Sequence, residues 1–220
     1  MLTLQLDAAA GRPLRLLALG AHPDDIEIGA GGTLLLLGDT MPLEVRYLVM
    51  TGTSERRSEA RHAAQLFLPE ADLAVELHGF SEGRLPAVWD KVKDVLEHVA
   101  ASWSPDLILS PAADDAHQDH RTLGEIVPTV FRDSLWFGYE IPKWDGDLRR
   151  LGTYVPLSPD IARRKVELLH KCFPSQQTRD WWDDDVFLGL ARLRGVECRA
   201  PYAEAFTCTK STILPVPARR

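Results

Sequence analysis

The sequence predicts an α/β fold built on a mainly parallel sheet, and three observations carry that expectation. Short apolar runs alternate with amphipathic stretches through the first half of the chain. The apolar runs are strand-length, and the amphipathic stretches carry their apolar residues at helical spacing. Polar segments follow directly after Leu19, Met50 and Leu109, where the strands end, and ligands bind at the carboxyl ends of strands in such sheets.

Leu14–Leu19 (LRLLAL) reads as a buried strand, and Gly29–Leu37 as the opening of a helix. Leu43–Met50 is a second strand. Glu55–Phe67 is a helix with Ala60, Ala63, Ala64 and Phe67 on one face. Ala74–Leu77 is a short strand. Val88–Trp103 sets Val88, Val92, Val95, Leu96 and Val99 on one helical face. Leu107–Leu109 is a strand introduced by Ser104-Pro105. From Asp133 to Asp147 the pattern gives way to an irregular excursion rich in aromatics, Gly and Pro. Ser158–His170 returns to helix, with Ser158 or Asp160 as its start signal. Residues 1–208 are expected to form one domain, and 209–220, with two prolines and a terminal Arg pair, a loose tail.

Composition narrows the function. Hydrophobic residues are 45% and charged residues 26%, and the net charge is -7. A general nucleic-acid binder needs clustered Lys and Arg, so none is expected as a partner. Three cysteines without a CxxC pair argue against a disulfide framework and for a reducing, cytoplasmic setting. The N-terminal stretch lacks the pattern of a signal peptide, and no apolar run approaches the roughly 20 residues of a membrane span. Pattern alone leaves a homo-oligomer open.

The first polar segment is Ala21-His22-Pro23-Asp24-Asp25, followed by Glu27. Adjacent carboxylates repel, and burying them costs free energy unless a cation or strong donors compensate. His22 and Asp25 are spaced so that a tight turn brings both to one ion. Asp24 then points elsewhere, placed to take a proton from water. A carboxylate at a helix start also caps it, which accounts for one Asp and leaves His22 without a task. The Gly29–Gly32 run fails the dinucleotide fingerprint because its third position is Leu34, and is read as a tight turn with close helix packing.

The second segment, His117-Gln118-Asp119-His120, follows the LIL strand. His117 and His120 share one side of the chain at a helix start. Either completes a metal site with His22 and Asp25, and the other is left to act on substrate. Asp115 and Asp119 are near enough to orient an imidazole from behind. A polar helix start with solvated His accounts for this segment alone. Two such clusters at one sheet edge point to a site.

These residues resemble the LmbE-like, or PIG-L-type, zinc-dependent N-deacetylase family through its (A/G)HPDD and HxDH motifs. Met50-Thr51-Gly52, Arg56 to Glu59, Lys165 through Ser175-Gln176, and Tyr202 to Phe206 add weaker matches, so the resemblance runs from about Leu14 to Phe206. It implies a Rossmann-like three-layer fold. It also implies a zinc ion held by His22, Asp25 and His120, with Asp24 as general base. His117 would be the unligated His, and Arg56 and Tyr202 would line the pocket. Ile26 stands where the family often has Glu, and Gln118 where it commonly has Pro; neither is a proposed ligand. The implied reaction is removal of an N-acetyl group from an N-acetylglucosamine-type sugar or glycoconjugate. Fe2+ or another divalent ion is the alternative to Zn2+ in the cell.

Trp136, Phe137, Tyr139, Trp144, Trp181 and Trp182 fall outside the regular patterns. Flat rings suit sugar C–H faces, and Trp144 is the candidate substrate contact, although ordinary packing accounts for most such rings. Three rival readings stand beside the deacetylase: an amidase cleaving a larger amide such as a thiol-sugar conjugate, a non-haem Fe(II) enzyme using two His and one carboxylate, and a non-catalytic carbohydrate-binding module.

Overall fold

A computed structural model of the chain describes residues 3–6 and 11–213. Seven strands form one sheet in the order β3-β2-β1-β4-β5-β7-β6. They are β1 Leu14–Gly20, β2 Leu43–Thr51, β3 Asp72–Phe80, β4 Leu107–Pro111, β5 Leu135–Tyr139, β6 Thr153–Leu157 and β7 Tyr202–Thr207. The first five pair in parallel, and β7 runs antiparallel to both β5 and β6. Among the described residues six α-helices accompany them: α1 Asp25–Thr40, α2 Ser54–Phe67, α3 Trp89–Ser102, α4 Gln118–Val130, α5 Pro159–Cys172 and α6 Asp184–Cys198.

Alternate strand residues enter two separate cores, which makes the fold three-layered. Leu16 and Ala18 of β1, Val45 and Tyr47 of β2, and Leu109 of β4 pack with residues of α1, α2 and α5. Leu17 and Leu19, Leu48 and Met50, and Ile108 face the other way, onto α3 and α4. Strands buried on both faces are why these runs read as continuously apolar. The predicted α/β class and mainly parallel sheet are what the structure has.

Several elements differ from the reading of the sequence. Helix α1 begins at Asp25, four residues before Gly29, so the Gly29–Gly32 run lies inside the helix rather than in a turn. Close packing is the part of that expectation that stands: a Cβ on Gly29 would lie 2.3 Å from the Tyr139 ring. Strand β3 is longer than Ala74–Leu77 because it pairs along β2 from Asp72 to Phe80. The expected irregular stretch from Asp133 contains β5, whose five residues are too few to show a period. Helix α6 has no amphipathic stripe strong enough to announce it. Of the expected tail, 209–213 is irregular, and 214–220 lies outside the described residues. Among the described residues no helix is long and apolar enough to cross a membrane.

Candidate metal centre

The parallel strands deliver both polar clusters to one edge. Strand β1 ends at Gly20, and the chain turns through His22-Pro23-Asp24 into α1. Asp24 has φ 103°, a left-handed conformation uncommon for a residue with a side chain. Such strain persists only where the surroundings impose it, and it concentrates at functional sites. The turn is locked from two sides. Thr51, at the end of β2, donates its N–H and hydroxyl to Ala21 O at 2.9 and 2.7 Å. Gly52, with φ 116°, lies where a Cβ would come within 2.7 Å of the Pro23 ring. That is the physical content of the Met50-Thr51-Gly52 motif.

One carboxylate oxygen of Asp25 accepts the backbone N–H groups of Ala21 and His22 at 2.9 and 2.8 Å. The same oxygen lies 3.4 Å from His22 Nδ1 and 3.3 Å from His120 Nε2. The two ring nitrogens are 3.2 Å apart. All three residues are buried. A tetrahedral ion with bonds of about 2.0–2.1 Å sets its ligands about 3.3–3.4 Å apart, so this triangle has the edge lengths of one face of a zinc site.

A carboxylate stands behind each imidazole, as a hydrogen bond for His22 and as a close ionic contact for His120. His22 Nε2 lies 3.1 Å from Asp119 Oδ2, and His120 Nδ1 lies 3.1 Å from Asp115 Oδ1. A carboxylate behind one ring nitrogen favours the proton there and leaves the other nitrogen a lone pair for a metal. Asp119 is itself fixed by the N–H groups of Gly83 and Leu85, at 2.6 and 3.0 Å. Burial opposes a charge on either ring. Asp25 and Asp119 nevertheless hold the protonation of His22 up to about 10. Asp25 and Asp115 hold that of His120 up to about 9. The field at this point favours a cation, and the donor set fits a divalent ion.

His117 stands beside the other two, its ring centroid 4.8 Å from each of theirs. His22, His117 and His120 together also form a cluster able to hold a metal, their candidate ligand atoms within 4.8 Å of one another. His117 precedes α4 and caps it: its Nδ1 accepts the Asp119 N–H at 3.2 Å. With Nδ1 so used, the proton of a neutral ring resides on Nε2, which is then a donor rather than a ligand. Half-burial and the neighbouring His120 and His22 push its pKa down, which favours that neutral form. The tighter triangle and this tautomer both favour His22, Asp25 and His120 as the donors.

Asp24 is buried next to the cluster, and Arg56 Nη2 reaches its Oδ2 at 3.0 Å and Pro23 O at 2.6 Å. Burial pushes the Asp24 carboxyl up to about 7, against the pull of Arg56. Glu27 lies deeper, bonded to the Tyr47 hydroxyl at 2.8 Å, and burial raises it to about 8. Tyr202 opens β7 opposite Leu157 and is half-buried, and no hydrogen bond joins it to the cluster among the described residues. Trp144 stands exposed on the loop after β5.

Lys143 is a site residue that the sequence does not reveal. Its Nζ lies 3.0 Å from Asp115 and 3.1 Å from Asp147. A lone lysine in an irregular loop carries no periodic or motif signal. Lys165 and Glu204 fall within quoted motifs, but their function shows only in three dimensions. They form a buried pair at 2.6 Å wedged against α1. Lys165 donates to Ile28 O at 2.6 Å, while Glu204 accepts from the N–H groups of Gly32 and Thr33 at 2.8 and 2.6 Å.

A three-layer α/β fold carries, at the carboxyl ends of β1 and β4, a buried two-His, one-carboxylate cluster whose donors fit a metal ion. The PIG-L family, described as GlcNAc-PI de-N-acetylase, matches residues 17–131, just over half the chain, and the protein belongs to that family. Solved structures agree on the fold. The conserved protein TT1542 from Thermus thermophilus superposes with a TM-score of 0.71 at 23% identity, over 94% of this chain and 99% of that one. The N,N'-diacetylchitobiose deacetylase from Pyrococcus horikoshii gives 0.67 at 20% identity, over 89% and 83%. The zinc-inhibited form of teicoplanin deacetylase Orf2 gives 0.66 at 16% identity, over 90% and 100%.

Proposed function

We propose that the protein is a zinc-dependent hydrolase that removes an N-acetyl group from an N-acetylglucosamine-type sugar or glycoconjugate. The observation that carries this is the buried 3.2–3.4 Å triangle of His22, Asp25 and His120 beside Asp24, in a chain of the PIG-L family. Two of the solved structures with this fold are described as deacetylases, one of them in a zinc-inhibited form, which supports the same reading.

His22, Asp25 and His120 would hold the ion. A divalent ion there supplies a Lewis acid and makes water acidic enough to attack an amide at neutral pH. Asp24 is the base that takes the proton of the attacking water. Arg56 Nη2 fixes one of its carboxylate oxygens at 3.0 Å, and burial raises its proton affinity. His117 offers Nε2–H to the oxygen on which negative charge develops. The proton then passes to the departing amine from Asp24 or His117. Asp115 and Asp119 hold the two metal-side imidazoles in the tautomer that ligation requires.

The test is metal analysis of the purified protein, paired with acetate release from N-acetylglucosamine derivatives before and after chelation and zinc add-back. Near-stoichiometric zinc and chelator-sensitive release are expected. A protein that takes up no divalent ion when zinc is supplied overturns the reading.

A further inference from the structure

The loop between β5 and β6 is fastened to the segment that leads into His117 and His120. Residues 140–152 form no helix or strand, yet three side chains of this loop grip three consecutive residues after β4. Arg149 pairs with Asp114. Lys143 Nζ lies 3.0 Å from Asp115 Oδ1, and Asp147 Oδ2 accepts the Ala116 N–H at 2.8 Å. Long irregular loops in compact domains are usually functional or disordered, and this one is anchored.

The contacts converge on one oxygen. Asp115 Oδ1 accepts the His117 N–H at 2.8 Å, lies 3.1 Å from His120 Nδ1, and is the oxygen that Lys143 reaches. The His120 contact is not aligned as a hydrogen bond, and Asp115 Oδ2 has no partner among the described residues. The direction of this buried carboxylate is therefore set by the His117 N–H and by Lys143. The same Nζ lies 3.1 Å from Asp147 and 3.7 Å from Asp145, so one ammonium stands between Asp115 and two further carboxylates. Like charges repel strongly where water is scarce. A histidine that ligates a metal is neutral. With His120 neutral, Lys143 is the one cation paired with Asp115 among the described residues.

We propose that Lys143 is a positioning residue of the metal centre, holding Asp115 behind His120 and so setting how tightly the ion is bound; this rests on the ligand set proposed above. Lys143 acts through Asp115 rather than on the ion. Partners behind a ligating imidazole typically contribute about 10- to 100-fold to metal affinity, and a carboxylate turned out of that place forfeits a share of it. Without the ammonium, Asp115 and Asp147 are left facing each other uncompensated, and Asp115 turns away from His120. The loop after β5 thereby becomes part of the metal site without supplying a ligand.

The test is the zinc dissociation constant of the full-length protein, read by competition with a chromophoric chelator, for the wild type, K143M, K143R, K143M/D147N and D106N. K143M is expected to bind zinc about tenfold more weakly. K143R keeps the cation and should retain most of the wild-type affinity. K143M/D147N also removes the charge left facing Asp115, and should recover part of the loss, a rescue that general destabilisation would not give. D106N, which alters the opposite ends of the strands, should bind zinc as the wild type does. A K143M with wild-type affinity overturns the proposal, as does a K143R as weak as K143M or a double variant no tighter than K143M. A wild type that takes up no zinc overturns the ligand set along with it. The measurement reads zinc alone, so the expected K143M loss in a protein that releases no acetate would support the role of Lys143 and refute the hydrolysis.

Discussion

Nδ1 of His22 and Nε2 of His120 lie 3.2 Å apart, aimed at a common point beside a carboxylate oxygen of Asp25. Each ring has a carboxylate at its far nitrogen, which turns the near nitrogens toward a cation at that point. Zinc is expected to raise the melting temperature of the wild type, since an ion that binds only the native state stabilises it by about 4 kcal/mol at a thousand times its Kd. His120→Ala and Asp25→Asn should bind less than stoichiometric zinc and show little of that shift. Differential scanning fluorimetry with and without zinc, beside metal analysis, decides it. An undiminished shift in both variants would remove these residues from the ligand set.

Asp24→Asn should retain zinc and the fold while turnover falls by about 10²- to 10⁴-fold, the range that a positioned base contributes. Acetate release and zinc content measured on one preparation separate the two effects. Activity near wild type would assign the base elsewhere.

Gly29 faces the Tyr139 ring, and the Tyr139 hydroxyl donates to Leu19 O at 2.7 Å. Gly29→Ala forces that ring away from its place and should cost about 1–3 kcal/mol, the usual penalty of overpacking. Urea unfolding measures it. A neutral result would mean that the ring moves freely.

Lys165 and Glu204 are both buried, so removing one leaves the other's charge uncompensated. Lys165→Met should destabilise by about 3–5 kcal/mol. The carboxylate of Glu204 would keep the N–H groups of Gly32 and Thr33 as its donors, so α1 should persist. Chemical denaturation followed by circular dichroism tests the magnitude, and a loss under about 1 kcal/mol would contradict it.

Asp106 receives both Arg12 guanidinium nitrogens at 2.6 Å and the Arg15 N–H at 2.9 Å. The Arg12 contact holds its carboxyl below the usual range. A carboxyl lowered by folding stabilises the native state above its unfolded pKa of about 3.9, and that contribution fades as pH falls through the lower folded value. The melting temperature of Asp106→Asn should lie below wild type at pH 7 and converge with it in strong acid. A gap that persists unchanged into strong acid would assign the effect to packing instead.

The two His/Asp clusters are legible in the sequence because each follows directly on a strand, and strands buried on both faces announce themselves as apolar runs. The helix over Val88–Trp103 is legible for a similar reason: Val92, Leu96 and Val99 all enter the core. Strand β5 is not, since five buried residues show no period and its place between β4 and β7 is a property of the sheet. The glycine run reads as a turn, yet a helix also demands Gly where an aromatic ring presses on its backbone, and no local rule names the ring.

The sequence by itself determined the α/β class, the two polar clusters and their position at the carboxyl ends of strands, because periodicity and the succession of elements along the chain are local consequences of side-chain polarity. Only the tertiary structure decided that His22 and His120, 98 positions apart, meet within 3.2 Å, and that Asp119 and Asp115 stand behind them. It also decided that Lys143 reaches Asp115 from the loop after β5. Those pairings depend on which strands become neighbours and on where each loop is anchored. Distances between side chains remote in sequence are fixed by the packing of the whole chain.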